Sequence, residues 1–139
     1  MLACLPLMSH GFTLLSRSRS AQPITEFLQK TASPDDLVIH EGALENTGSL
    51  VLALSRPVKI VRGDRSNLAF GATFPEAAET FWDTGRLRQA WTGPRRVFLV
   101  SIVKPERSVV RELPEGSVHL ARGAGGRWLY SNRGEGKQR

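Results

Sequence analysis

The sequence predicts an α/β domain: a small, mainly parallel sheet flanked by helices, with a C-terminal antiparallel hairpin. Three observations carry this. A strand, crossover and strand pattern spans Leu37–Val61. The apolar run Val97–Val103 is the strongest strand in the chain. Two alternating segments flank the glycine-rich stretch Gly123-Ala124-Gly125-Gly126. Strands that alternate with helical segments imply parallel pairing, because a parallel return needs a long crossover.

The elements follow in order. Pro23 suits the first turn of a helix, where its missing N–H costs nothing. Ile24, Phe27 and Leu28 fall at i, i+3, i+4, so residues 22–32 form a short amphipathic helix. Ser33-Pro34-Asp35-Asp36 ends it. Leu37–His40 is an apolar run suited to a buried strand. Residues 46–54 follow as a helix that Asn46 or Thr47 would cap. Leu50–Leu54 is apolar all round, so periodicity alone leaves helix and strand open there. After Ser55-Arg56-Pro57, Val58–Val61 is the second strand. About 17 residues separate the two strands, enough for a right-handed parallel crossover.

Residues 62–80 read as an irregular loop broken by Gly63, Gly71 and Pro75, with Leu68, Phe70 and Phe74 packing it back onto the domain. Asp83 or Thr84 caps a helix over 84–92 with Leu87, Ala90 and Trp91 on one face, and Gly93-Pro94 ends it. Val97–Val103 is apolar on both faces and therefore central in the sheet. Pro105 opens a helix carrying Val109, Val110 and Leu113, closed by Pro114. Segments 118–121 and 128–131 form a hairpin whose loop is longer than the tightest turns. The domain proper is residues 23–133. Residues 1–22 read as a membrane-proximal remnant or linker, and 134–139 as a disordered tail.

At 139 residues the chain holds one domain. Such a length buries enough surface to need no disulfide or metal staple. With Cys4 as the single cysteine, an internal disulfide is excluded. The net charge is +6, which suits an anionic partner or simply a solvated, arginine-rich surface. The apolar start Met1–Met8 is far shorter than the roughly 20 residues of a membrane span. It reads as a frayed leader or as the end of a membrane helix.

In a mainly parallel sheet, ligands bind outside the carboxyl ends of the strands at the switch point. There the first strand offers His40, Glu41, Glu45 and Asn46. The second offers Arg62, Asp64 and Arg65, and the strong strand offers Lys104. These residues are the candidate ligand or interface contacts. The bland alternative is that His40 ends its strand with its hydrogen bonding satisfied, while the glutamates face water or Arg56.

Other chemistries fit less well. Glu41 and Glu45 in the first turn would repel a phosphate, and the G-x-G-x-x-G and Walker lysine patterns are absent. The glycine loop at 123–126 lies between strands, so no helix N-terminus faces an anion there. Zinc sets are richer in imidazole or thiolate than this region, which lacks H-E-x-x-H. A magnesium site from Glu41, Glu45 and Asp64 is nonspecific. No G-x-S-x-G elbow occurs, so no nucleophile or catalytic residue is assigned. Trp82, Trp91 and Trp128 are isolated, which suits core or rim packing better than base stacking. No metal, cofactor or nucleic-acid partner is expected, and the oligomeric state stays open.

The order of short motifs goes further. Pro34-Asp35-Asp36 precedes a strand; His40-Glu41-Gly42, Glu45-Asn46-Thr47-Gly48-Ser49-Leu50 and Arg56-Pro57-Val58 follow. Asn67-Leu68-Ala69-Phe70-Gly71 and Gly93-Pro94-Arg95-Arg96-Val97-Phe98-Leu99-Val100 come next. This order resembles the C-terminal extracytoplasmic domain of bacterial membrane glycosyltransferases of the dolichyl-phosphate-mannose mannosyltransferase and aminoarabinose transferase type. It covers roughly residues 20–133. The resemblance implies a polyisoprenyl-phosphate-linked sugar donor for the whole enzyme and a place at the extracytoplasmic face of the inner membrane. The implied partners are the membrane glycosyltransferase core or the anionic membrane surface. The family's catalytic aspartates lie in loops near its N-terminus, which nothing here matches. The implied role is therefore an accessory domain, a fragment inactive alone. The alternative is an independent soluble α/β module for an anionic ligand: a phosphosugar, nucleotide or nucleic acid.

Overall fold

The computed structural model describes residues 21–43, 48–63 and 75–134. Within them the chain runs α1 (Gln22–Thr31), β1 (Leu37–Glu41), α2 (Gly48–Leu54), β2 (Val58–Val61), β3 (Phe81–Trp82), α3 (Thr84–Trp91), β4 (Val97–Ser101), β5 (His119–Ala124) and β6 (Arg127–Ser131). Short 3-10 turns at Pro75–Glu79 and Val109–Glu112 complete it. The sheet has six strands in the order β3-β2-β1-β4-β6-β5. β1 to β4 pair in parallel, and β6 joins β4 antiparallel, with β5 at the edge. The fold is α/β, as the alternation of elements implies.

Period-two alternation divides the sheet into two layers. Val38, Val58, Phe98, Val100 and Leu129 pack with Ile24, Leu28 and Leu50 of α1 and α2. Ile39, Val61, Val97, Leu99 and Tyr130 pack with Leu87 and Trp91 of α3 and with Val109 and Leu113. β4 is buried along its whole length, because helices cover it above and below and strands flank it on both sides. The chain steps one way from β1 through α2 and the other way through α3 into β4. Two crossovers of one hand must then lie on opposite faces, as α2 and α3 do.

Side chains lock the ends of the elements. Gln29 Nε2 donates to the Ala53 carbonyl at 2.8 Å, tying α1 to α2. Asp83 caps α3, its Oδ1 accepting from the Arg86 amide at 2.7 Å. Asn132 Oδ1 accepts from the Val97 amide at 2.9 Å, and its Nδ2 donates to the Trp91 carbonyl at 2.9 Å. That one amide fixes the start of β4 to the end of α3.

Several expectations change. The strong strand ends at Ser101 instead of Val103, because Ser101 Oγ accepts from the Val103 amide at 3.1 Å and folds the chain back. The helix expected after Pro105 is a turn followed by the 3-10 segment, capped by Ser108. The hairpin is tighter than expected: Gly125 and Gly126, with φ of 57° and 71°, close it in two residues. Consecutive left-handed conformations match the twist of the flanking strands, and glycine adopts them without a Cβ clash. β3 lies next to the stretch read as an irregular loop. Trp91 is core, while Trp82 and Trp128 pack partly buried against it. Asn46 and Thr47 as caps, and the packing of Leu68, Phe70 and Phe74, lie outside the described residues.

Candidate functional site

The sheet's switch point lies between β1 and β4, where the connections depart in opposite directions. The carboxyl ends of these strands are paired in register, Glu41 with Ser101. Both residues are fully buried in the α3 layer. A carboxylate in such a place must find donors, because its desolvation otherwise costs several kcal/mol. Glu41 finds three. Ser101 Oγ and Ser108 Oγ donate to Oε2 at 2.6 and 2.5 Å, and the Val109 amide donates to Oε1 at 2.7 Å. Each serine also accepts from backbone, Ser101 from Val103 and Ser108 from Val110. Glu41 thus sits over the amino end of the 3-10 turn and holds it to the sheet.

Arg62 follows β2 and reaches over this carboxylate. Its Nη1 is 4.0 Å from Glu41 Oε1 and donates to the Arg107 carbonyl at 3.4 Å; its Nη2 pairs with Glu112. Arg62 adopts a left-handed φ of 49°, a conformation that a side chain makes unfavourable. Its contacts to Glu112 and the Arg107 carbonyl hold it there. Above Glu41 lies a depression of about 480 Å³ walled by Arg62, Ile102, Val103, Lys104 and Arg107. The side chains of Lys104 and Arg107 are exposed and meet no acceptor among the described residues. The floor is a carboxylate with both oxygens hydrogen-bonded and the rim is cationic.

His40 stands apart from this group. Its place in the pleat sends it to the α1 and α2 layer, between Ile60 and Val100 in register. It is fully buried, with Nδ1 3.3 Å from the Gly42 carbonyl, which can accept from Nδ1–H. Burial lowers its pKa to about 4, the Gly42 carbonyl opposes this, and the positive charge of Arg127 adds to the lowering. The imidazole is neutral at pH 7 and faces the core. On the other layer, burial first and then the charges of Glu41 and Glu106 raise the Tyr130 phenol.

Gly42 permits the close approach of the two strand ends. Its φ is 98°, and a Cβ there would stand 2.6 Å from Ile102 Cγ1. A larger residue would push β4's exit away from β1's.

Of the residues predicted from sequence, Glu41, Arg62 and Lys104 meet at one depression, whereas His40 points to the opposite layer. Glu45, Asn46, Asp64 and Arg65 lie outside the described residues. Glu41 does not face water or Arg56, as the bland reading had it: it is buried, and Arg56 Nη1 donates to the Ser33 carbonyl at 2.9 Å. Ser101, Ser108 and Arg107 were missed. A serine ending an otherwise apolar strand, beside a strand ending in Glu, was the available signal for Ser101. The two serines are buried and donate to a carboxylate whose oxygens are both occupied. The arrangement anchors the 3-10 turn to the ends of β1 and β4. Among the described residues, no three His, Cys, Asp or Glu gather in a way that would hold a metal ion. No helix there is long and apolar enough to cross a membrane.

No protein-family model and no curated protein sequence matches the chain. Two solved structures do, both of ArnT from Cupriavidus metallidurans. The form bound to undecaprenyl phosphate superposes with a TM-score of 0.64 at 21% identity over 86% of this chain. The apo form gives 0.63 at 21% identity over 84%. This chain covers 21% and 20% of those chains, about a fifth of their length, and the likeness is one of fold.

Proposed function

We propose that this chain is an accessory domain of an integral-membrane glycosyltransferase that uses a polyisoprenyl-phosphate-linked sugar. It lies at the extracytoplasmic face of the inner membrane, contributes a contact surface to the membrane part, and has no transfer activity alone. The observation that carries this reading is the fold likeness to ArnT over 86% of the chain. The motif order from Pro34 to Val100 supports it from the sequence. A positive net charge of +6 suits a surface close to anionic head groups, each basic residue near them contributing about 1 kcal/mol.

Reading the gene immediately upstream of the Met1 codon tests this. An in-frame run of hydrophobic helices is expected; a stop codon directly before Met1 would overturn the reading. Transfer of sugar from a polyisoprenyl-phosphate donor by the purified chain alone would also overturn it.

A second reading, an independent module for an anionic ligand, is favoured by Lys104 and Arg107. Both line the switch-point depression without an acceptor among the described residues. Saturable binding of a phosphosugar or nucleotide, lost in Lys104→Ala, would favour it.

A further inference from the structure

A second concavity, sharing no lining residue with the switch-point depression, opens between α3 and the β2–β3 edge. Its volume is about 470 Å³, within the range of small-molecule sites. Leu37 and Ala90 line it with apolar surface, and Trp82 stands beside them. Among the described residues three cations line it, Lys59, Arg86 and Arg95, against the one carboxylate of Glu79. Three positive charges less one negative leaves two positive charges around an apolar hollow.

The cations are not equivalent. Arg86 donates to the Ala78 carbonyl at 3.0 Å and lies 3.4 Å from both Glu79 oxygens, its guanidinium carbon 4.7 Å from the Trp82 ring centroid. Arg95 is spent on the Asp35 carbonyl at 2.9 and 2.6 Å. Lys59 has neither kind of partner. It is half-buried in mid-strand, in register with Ile39, and its ammonium meets no acceptor among the described residues. Its ammonium stands 6.0 Å from the centroid of the Trp82 ring. A cation partly withdrawn from water gains strongly from a charge-assisted hydrogen bond.

We propose that this groove binds a ring-bearing phosphomonoester. The phosphate sits at Lys59 and the ring lies against Leu37, Ala90 and Trp82. A phosphomonoester carries about −1.5 to −2 at pH 7, which matches the two uncompensated charges. The ring fills a hollow that phosphate alone leaves empty. A sugar phosphate and an aryl phosphate share this chemistry. The proposal does not depend on the accessory-domain reading.

Titration of the full chain with hexose 6-phosphate, phenyl phosphate, inorganic phosphate and the two uncharged rings tests it, followed by calorimetry. Saturable binding of at least one phosphomonoester is expected, about tenfold or more tighter than inorganic phosphate or either neutral ring. Which of the two binds tells sugar from aryl. Lys59→Met keeps the aliphatic stem and should weaken binding about tenfold or more; Lys104→Ala should leave it unchanged. Trp82→Phe should weaken it less and abolish any tryptophan fluorescence response. The proposal fails if neither phosphomonoester saturates, if inorganic phosphate binds as well as both, or if Lys59→Met binds as the parent does. Loss of binding in Lys104→Ala with Lys59→Met intact would move the anion to the switch point and overturn the assignment. An unchanged melting transition in Lys59→Met keeps a folding defect from mimicking the result.

Discussion

His40 and Glu41 are neighbours in sequence and equally buried, yet the fold treats them oppositely. Glu41 enters the α3 layer and receives three donors. His40 enters the α1 and α2 layer, where burial holds it neutral. The difference lies in what each layer contains. The α3 layer has two serine hydroxyls and the first amide of a 3-10 turn, all able to donate to a carboxylate. Around His40 stand Val100, Ile60 and the carbonyl of Gly42. One layer supplies donors to an anion, while the other meets the imidazole with burial and the positive charge of Arg127. Changing either residue should therefore break the fold in a different way.

The largest effect is expected from Glu41→Ala. It leaves two buried hydroxyls and the Val109 amide without their acceptor and opens a void beneath Arg62. A loss of about 3–4 kcal/mol is expected in urea unfolding. Glu41→Gln keeps the shape and one acceptor oxygen, so it should lose about half as much. Equal losses in both would show that the packing matters and the donors do not.

The next largest belongs to His40 and shows in pH. Its folded-state pKa of about 4 lies below the ordinary 6.5. The unfolded chain therefore takes up the proton first as pH falls. The stability that rests on a neutral imidazole is whole above about pH 6.5 and lost as pH falls to about 4, some 3 kcal/mol in all. His40→Leu should remove that part of the acid dependence while Glu41→Gln leaves it in place. An unchanged pH profile in His40→Leu would sink the assignment.

This contrast was half legible in the sequence. Alternation along Leu37–Glu41 required that His40 and Glu41 face opposite ways. Reading them as one cluster set strand-end proximity above that rule. Glu41's partners could not be read, because Ser101 and Ser108 lie 60 and 67 residues away and their meeting depends on sheet order. The apolar run Leu50–Leu54 is helix, whereas the strands of four or more residues were legible as apolar or alternating segments bounded by turn residues. Phe81–Trp82 was not, since two residues carry no period, and only pairing with Ile60 and Val61 makes them a strand. The segment after Pro105 has helical spacing, but Ser108 and Glu41 satisfy its first amides and shorten it to a 3-10 turn. Arg107 and Lys59 were missed as groove residues because a lone cation carries no signal until its neighbours are known.

Ser108→Ala separates the two roles of the donor set. It removes one hydrogen bond to Glu41 and the cap on the Val110 amide, and leaves Ser101 and Val109 in place. A loss of about 1–2 kcal/mol is expected, well below that of Glu41→Ala. A loss as large as that of Glu41→Ala would make the cap, and not the carboxylate, the anchor of the turn.

The smallest effect should come from Glu112→Gln. Glu112 pairs with Arg62 at the surface, where their side chains are 39% and 41% exposed. Solvent screens such pairs, and they contribute about 0–1 kcal/mol. Arg62 keeps its bond to the Arg107 carbonyl and its position 4.0 Å from Glu41 after the change. Urea unfolding should thus shift by well under about 1 kcal/mol, and less still in high salt. A double-mutant cycle with Glu41→Gln sharpens the contrast between buried and exposed charge. Additive losses mean that the buried carboxylate is held by its three donors alone. A coupling above about 1 kcal/mol would mean that Glu112 keeps Arg62 over Glu41, so that the surface pair steadies the buried charge through the guanidinium between them.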